Sequence, residues 1–204
     1  MPQSEARPPL IADADGVYRV HIIGNSGSGK STLGKELSSL LGLPHIPLDS
    51  LFWKPGWTRS TNEEFCQRIR EALDSSPGGW IVDGNYTSMG AGFVTGEANN
   101  VIWMDPPLLL YFPRVMWRTF LRLLRLREPC SPGCAERPAE VFFSKESILW
   151  WCLTNHFRFK RKTQGWMADP SFARKTVHLA GWGSEYRRWW SSVVSMVKGH
   201  AKST

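Results

Sequence analysis

Nine consecutive residues, Gly24-Asn25-Ser26-Gly27-Ser28-Gly29-Lys30-Ser31-Thr32, combine three glycines, a lysine and four hydroxyls, and fit G-x-x-x-x-G-K-[ST] without a mismatch. Glycines let a backbone curl so that successive N–H groups face an anion, and a helix opening directly afterwards adds its N-terminus to the same anion. In that arrangement Lys30 bridges the terminal phosphates of a nucleoside triphosphate, Ser31 ligates Mg²⁺ and Thr32 reaches the innermost phosphate. A chance glycine-rich turn would lack the flanking strand and helix that this run has. No N-K-x-D segment for reading guanine occurs in the chain, so ATP is the expected nucleotide.

Other residues could act on what such a loop holds. Asp49 precedes Trp53 and Trp57. Its carboxylate could orient or deprotonate an acceptor hydroxyl while a tryptophan covers the acceptor's flat face. The bland alternative is a helix-capping aspartate beside two core tryptophans. Asp83 and Asp105 end two further apolar runs, and the Asp105-Pro106-Pro107 context reads as a chain turn, so Asp83 is the preferred magnesium ligand. Arg114, Arg118, Arg122 and Arg125 recur at four, four and three, on one helical face. They could neutralise a phosphoryl group in transit or form a solvated basic face. Arg127 and Arg137 flank a proline-rich stretch, and Arg158, Lys160, Arg161 and Lys162 follow with Trp150, Trp151, Phe157 and Phe159 interleaved. Such a pattern suits a cationic lid over ATP, a nucleic-acid surface or a membrane surface. Cys130 and Cys134 are spaced C-x₃-C, but no second cysteine pair follows to complete a zinc site, so free thiols are expected.

The elements that would position these residues alternate. Val17–Ile23 is a β-branched run ending at the glycine loop, and Ser31–Leu41 carries leucines at helical spacing until Gly42. His45–Leu48, Trp80–Val82, Val101–Met104 and Thr176–Leu179 read as further strands. Asn62–Leu73 reads as a helix capped by Thr61 with Glu64. Leu108–Leu126, which contains Pro113, Ser144–Arg161 and Glu185–Val197 read as the remaining helices. This alternation predicts an α/β fold of three layers, a five-stranded parallel sheet covered on both faces, with ligands at the carboxyl ends of the strands. Gly24, Asp49, Asp83 and Asp105 all fall at those ends.

At 204 residues the chain accommodates one such domain. Residues 1–16, with three prolines and no periodicity, read as a disordered tail, and 17–204 as the domain. The tail lacks an apolar segment for a signal peptide, no run of eighteen apolar residues suggests a membrane span, and four cysteines are few for a disulfide scaffold. A cytoplasmic protein is expected. Net charge is +7, unevenly spread: residues 1–105 hold 8 Lys/Arg against 12 Asp/Glu, a net −4, and residues 106–204 hold 17 against 6, a net +11. The second half therefore invites a polyanionic partner, whether nucleic acid, anionic membrane or nucleotide phosphate.

With these motifs placed, the chain resembles the adenylate-kinase-like branch of P-loop nucleoside and nucleotide kinases. More narrowly, it is similar to bacterial and fungal proteins described as DNA topology modulation proteins. The narrow resemblance rests on G-N-S-G-S-G-K-S-T at 24–32, L-D-S-L-F-W-K-P-G-W at 48–57, W-I-V-D-G-N-Y at 80–86, V-I-W-M-D-P-P at 101–107 and G-C-A-E-R at 133–137. It implies a P-loop NTPase fold with strand order 2-3-1-4-5, Asp83 in the magnesium shell, Arg114 and Arg118 near ATP, and a lid over about 121–162. The adenylate kinase pattern D-G-F-P-R is D-G-N-Y here, which argues against an AMP-type acceptor. The leading expectation is an ATP- and Mg²⁺-dependent kinase with a nucleoside, nucleotide or hydroxylated metabolite as acceptor. Its rivals are a nucleic-acid-associated ATPase and a nucleotide-binding regulatory protein.

Overall fold

The structure, a computed structural model, describes residues 7–124, 126 and 148–200. Five strands form the main sheet: β1 (Tyr18–Gly24), β2 (His45–Pro47), β3 (Gly79–Asp83), β4 (Asn100–Asp105) and β5 (Thr176–Ala180). All pairings are parallel, with Ile22 opposite Asp83 on one side of β1 and Ile23 opposite Trp103 on the other. Counted within this sheet the order is 2-3-1-4-5. Two short strands, Trp53–Lys54 and Thr58–Arg59, make a separate antiparallel ribbon that the sequence did not announce. Counted over all seven strands, the sheet order becomes 2-5-1-6-7.

Eight helices are described: α1 (Lys30–Leu41), α2 (Leu48–Phe52), α3 (Asn62–Asp74), α4 (Gly92–Glu97), α5 (Leu108–Leu123), α6 (Ile148–Trp166), α7 (Pro170–Lys175) and α8 (Ser184–His200). Because strand side chains alternate, each central strand feeds two cores. Trp80, Val82, Val101 and Trp103 pack with Phe52, Phe65, Ile69 and Val94 on one face. Ile81, Ile102, Val20 and Ile22 pack with Leu33, Leu37, Trp189 and Val193 on the other. The three-layer architecture follows directly. Thr61 caps α3 as expected: its hydroxyl accepts from Glu64 N–H at 3.2 Å, and Glu64 accepts from Thr61 N–H at 3.1 Å. Pro113 sits inside α5, where its ring leaves the Leu109 carbonyl without its helical donor, at a solvent-exposed position.

One expectation fails. Residues 7–16 are a packed strap, not a free tail. Leu10 is 2% exposed within the second core. Ile11 exchanges two hydrogen bonds of 2.8 Å with the Asn100 side chain, Pro9 accepts from Trp189 Nε1 at 3.0 Å, and Arg7 donates to Thr176 O at 3.1 Å. Asn100 acts as a strand partner in side-chain form, and Leu10 fills the space under α8. The lid expected over 121–162 falls mostly outside the described residues, as do Arg125, Arg127, Cys130, Cys134 and Arg137; α6 is described.

Candidate active site

The glycine loop lies where β1 meets α1, at the carboxyl edge of the sheet. Gly24 (φ 151) and Gly27 (φ 80) occupy conformations unsuited to side chains. A Cβ at Gly24 would sit 2.8 Å from Ser28 Oγ, and one at Gly27 would collide with Val115 of α5. Close approach of α5 to the loop therefore demands glycine. Gly29 caps α1 with no side-chain hydrogen bond, which leaves the first helical N–H groups uncapped by a side chain. Ser28 Oγ is buried and has no partner. Lys30 Nζ donates to Asn25 O at 3.0 Å, curling back over the loop. An orphaned hydroxyl, side-chain-free backbone donors and an overlying ammonium fit a phosphate chain.

Asp83, ending β3, is 2% exposed and faces two groups. Ser31 Oγ donates to its Oδ1 at 3.4 Å, and His45 Nε2 lies 2.6 Å from its Oδ2. The Ser31 hydroxyl and the Asp83 carboxylate are hard oxygen donors of the kind Mg²⁺ takes, the remaining positions suiting phosphate oxygens and water. Among the described residues no cluster of three or more His, Cys, Asp and Glu stands ready for a metal. A site of one carboxylate and one hydroxyl is thus the form that a magnesium–nucleotide complex, rather than a bare ion, would fit.

Two neighbours fix the strand end after Asp83. Asn85 accepts from Gly24 N–H at 3.0 Å and donates back to Gly24 O, holding the first residue of the loop at both polar groups. Buried His21 contacts Gly84 O through Nε2 at 2.9 Å and Thr95 Oγ1 through Nδ1 at 3.0 Å. Burial pushes its pKa down to about 4 against the raising effects of Gly84 O and Asp83, so it is neutral at ordinary pH. Its Nε2–H then donates to Gly84 O.

Asp49, on α2, is exposed and accepts from Tyr86 Oη at 2.7 Å. Tyr86 packs on Phe52 and Phe65, and Phe52 meets Trp53 edge-on at 5.1 Å. Trp53 meets Trp57 at 5.3 Å, also edge-on. Trp57 has φ 60, a strained backbone for so bulky a residue. Asp49, Tyr86, Phe52 and the two tryptophans thus form one continuous run of contacts. Arg118 of α5 donates to Ser26 Oγ at 3.4 Å, reaching the glycine loop, whereas Arg114 is exposed.

Asp105 is engaged by protein side chains. Lys160 of α6 lies 2.9 Å away and His178 3.1 Å away, the latter stacked on Trp103 at 3.8 Å. Burial opposes its ionisation, but the hydrogen bonds and charges of His178 and Lys160 outweigh that and hold its pKa below the usual range. Asn25 Nδ2 donates to Tyr111 Oη at 2.7 Å, and Tyr111 Oη lies 2.7 Å from His156 Nδ1, so α6 also touches the loop through side chains. Sequence reading did not single out His21, His45, Asn85 or Tyr111. Asn85 alone carried a signal, its place in W-I-V-D-G-N-Y.

The fold and this site define a P-loop kinase. The chain is 32% identical over 126 residues to a shikimate kinase of Halorhodospira halophila (strain DSM 244 / SL1), a match covering 54% of this chain and 70% of the relative. It belongs to that family of small-molecule P-loop kinases, and is an ATP-dependent phosphotransferase with a small-molecule acceptor. A comparison with protein-family models finds no match. Among solved structures, TT1252 from Thermus thermophilus superposes with a TM-score of 0.53 at 16% identity, over 88% of this chain and 97% of that one. A gluconokinase from Sinorhizobium meliloti 1021 gives a TM-score of 0.49 at 16% identity, over 92% and 97%. The narrower likeness to DNA topology modulation proteins has no counterpart among these relatives. No described helix is long and apolar enough to cross a membrane.

Proposed function

We propose that the chain transfers the γ-phosphoryl group of ATP to a hydroxyl of a small acceptor lying between Asp49, the Trp53–Trp57 ribbon and the Asp83–Tyr86 segment. The observation that carries this reading is the meeting of Ser31, next to Lys30 at the start of α1, with Asp83, while Asp49 stands in α2 just after β2. Residues 24–32 cradle the phosphates, with Lys30 released from Asn25 O to bridge the terminal ones. Ser31 and Asp83 hold Mg²⁺, which when bound neutralises phosphate oxygens. Asp49 takes the proton as the acceptor oxygen bonds to the γ-phosphorus and the bond to the β–γ bridging oxygen breaks. Arg118, with Arg114 on closure, neutralises the transferred group. The aromatic wall suits an acceptor with an apolar or planar face.

A coupled ADP-release screen across shikimate, sugar acids, nucleosides and nucleoside monophosphates tests this reading. Acceptor-dependent turnover by one class is expected, with shikimate, the acceptor named for the relative, assayed first. Lys30→Ala should lower kcat by about 10² or more while leaving the thermal transition unchanged. Retained turnover in a folded variant would sink the assignment.

The net +11 of residues 106–204 favours a second reading, a nucleic-acid-associated ATPase. Its signature is affinity for DNA or RNA that falls steeply with salt. No binding at low salt removes it.

A further inference from the structure

We propose that the exposed face of α5 docks on an anionic membrane surface, the helix lying in the interface. Leu109, Pro113, Met116, Trp117, Phe120 and Leu124 are spaced by four, three, one, three and four, which gathers them within about 100° of the helix circumference. The opposite face, with Tyr111, Val115 and Thr119, is buried against the domain. The stripe itself is open: its hydrophobic members range from 48% exposed at Met116 and Phe120 to 79% at Leu109. Trp117 and Phe120 stack on each other at 5.7 Å, and Phe157 on α6 is exposed as well. A contiguous patch of this kind marks a surface with a partner.

Charge selects the partner. The only charged side chains of α5 are Arg114, Arg118 and Arg122, and no acidic residue occurs between Asp105 and Glu128. Residues 154–166 of α6 add Arg158, Arg161 and Lys162, beside Lys160 already engaged by Asp105, and hold no acid of their own. A second copy docking across a two-fold axis would set one cationic face against another. Nucleic acid would satisfy the cations and stack on Trp117, but would leave Leu109, Met116 and Leu124 in water. An anionic bilayer answers both features: aliphatic and aromatic side chains enter the headgroup–acyl boundary, and basic side chains of α6 stay at the headgroups.

The test is sedimentation of the full chain with vesicles of phosphatidylcholine alone or with about one-third phosphatidylglycerol. Binding to the anionic vesicles should be about tenfold tighter or more, and should weaken as salt is added. The triple variant Trp117→Gln, Phe120→Gln, Leu124→Gln should lose about tenfold in vesicle affinity while keeping ATP binding. Single Trp117→Gln, giving a smaller loss in the same direction, serves if the triple variant unfolds. Failure of the wild type to bind anionic vesicles overturns the proposal. So does a concentration-dependent dimer that the triple variant abolishes, or single-stranded DNA binding that displaces the vesicles and depends on Trp117.

Discussion

His45 Nε2 lies 2.6 Å from Asp83 Oδ2, so the edge strand β2 fixes one carboxylate oxygen of β3 and leaves Oδ1 turned toward Ser31. Gly34 of α1 makes room for this, since a Cβ there would collide with the His45 ring. The orientation of the proposed metal-binding carboxylate is therefore set by two elements outside the glycine loop. His45→Ala should raise the Mg²⁺ concentration needed for half-maximal ATP binding several-fold, with His45→Asn recovering part of the loss. Titration calorimetry with ATP at stepped Mg²⁺ reads this; an unchanged Mg²⁺ dependence would show that Asp83 orients itself.

Asn85→Ala removes both hydrogen bonds to Gly24 and leaves a buried backbone N–H and C=O to find other partners. A loss of about 1–3 kcal/mol in stability is expected, with weaker ATP binding. Denaturant unfolding with and without ATP separates the two, because only the second effect vanishes when nucleotide is left out.

Gly27→Ala forces a side chain onto φ 80 and into Val115. ATP binding should be lost, and pairing the change with Val115→Ala should restore only the part caused by the collision, the positive φ persisting at a cost of about 1 kcal/mol. Full recovery in the double variant would mean that backbone conformation is not limiting.

Acid stability should report on His21. In the fold its pKa is about 4, against about 6.5 in the unfolded chain, so between those values the unfolded chain binds more protons. Its contribution is complete above pH 6.5 and is lost as pH falls toward 4, by up to about 3 kcal/mol. Stability curves of wild type and His21→Gln, compared between pH 7.5 and 4.5, should converge on the acid side. Parallel curves would contradict a buried neutral imidazole.

The strands, the major helices and the glycine loop were legible because each is local: β-branched runs, leucine spacing, a capping box at Thr61 and Glu64, a contiguous motif. Asp83 does end its strand as read, whereas Asp49 lies within α2, two residues past the end of β2. His45 and Tyr111 were not legible, since their partners lie 38 to 86 positions away and depend on strand register and helix rotation. Trp57 was noticed as an aromatic, but its positive φ belongs to a ribbon of two-residue strands too short to show alternation. The strap at 7–16 was misjudged because prolines and polar residues suggest disorder, whereas a single leucine and one asparagine side chain hold it.

That strap has a kinetic consequence. Pro9 meets Trp189 across 180 positions, and Arg7 meets Thr176 across 169. These contacts close the longest loops in the described fold and gain nothing until β5 and α8 are in place. The strap should therefore seat late, as a clasp drawn over a nearly finished domain, and its amides should be the first of the core-contacting ones to exchange with solvent. The phosphate loop, at the opposite end of the strands, leans on Asn85 and α5 but not on the strap, and can form without waiting for it.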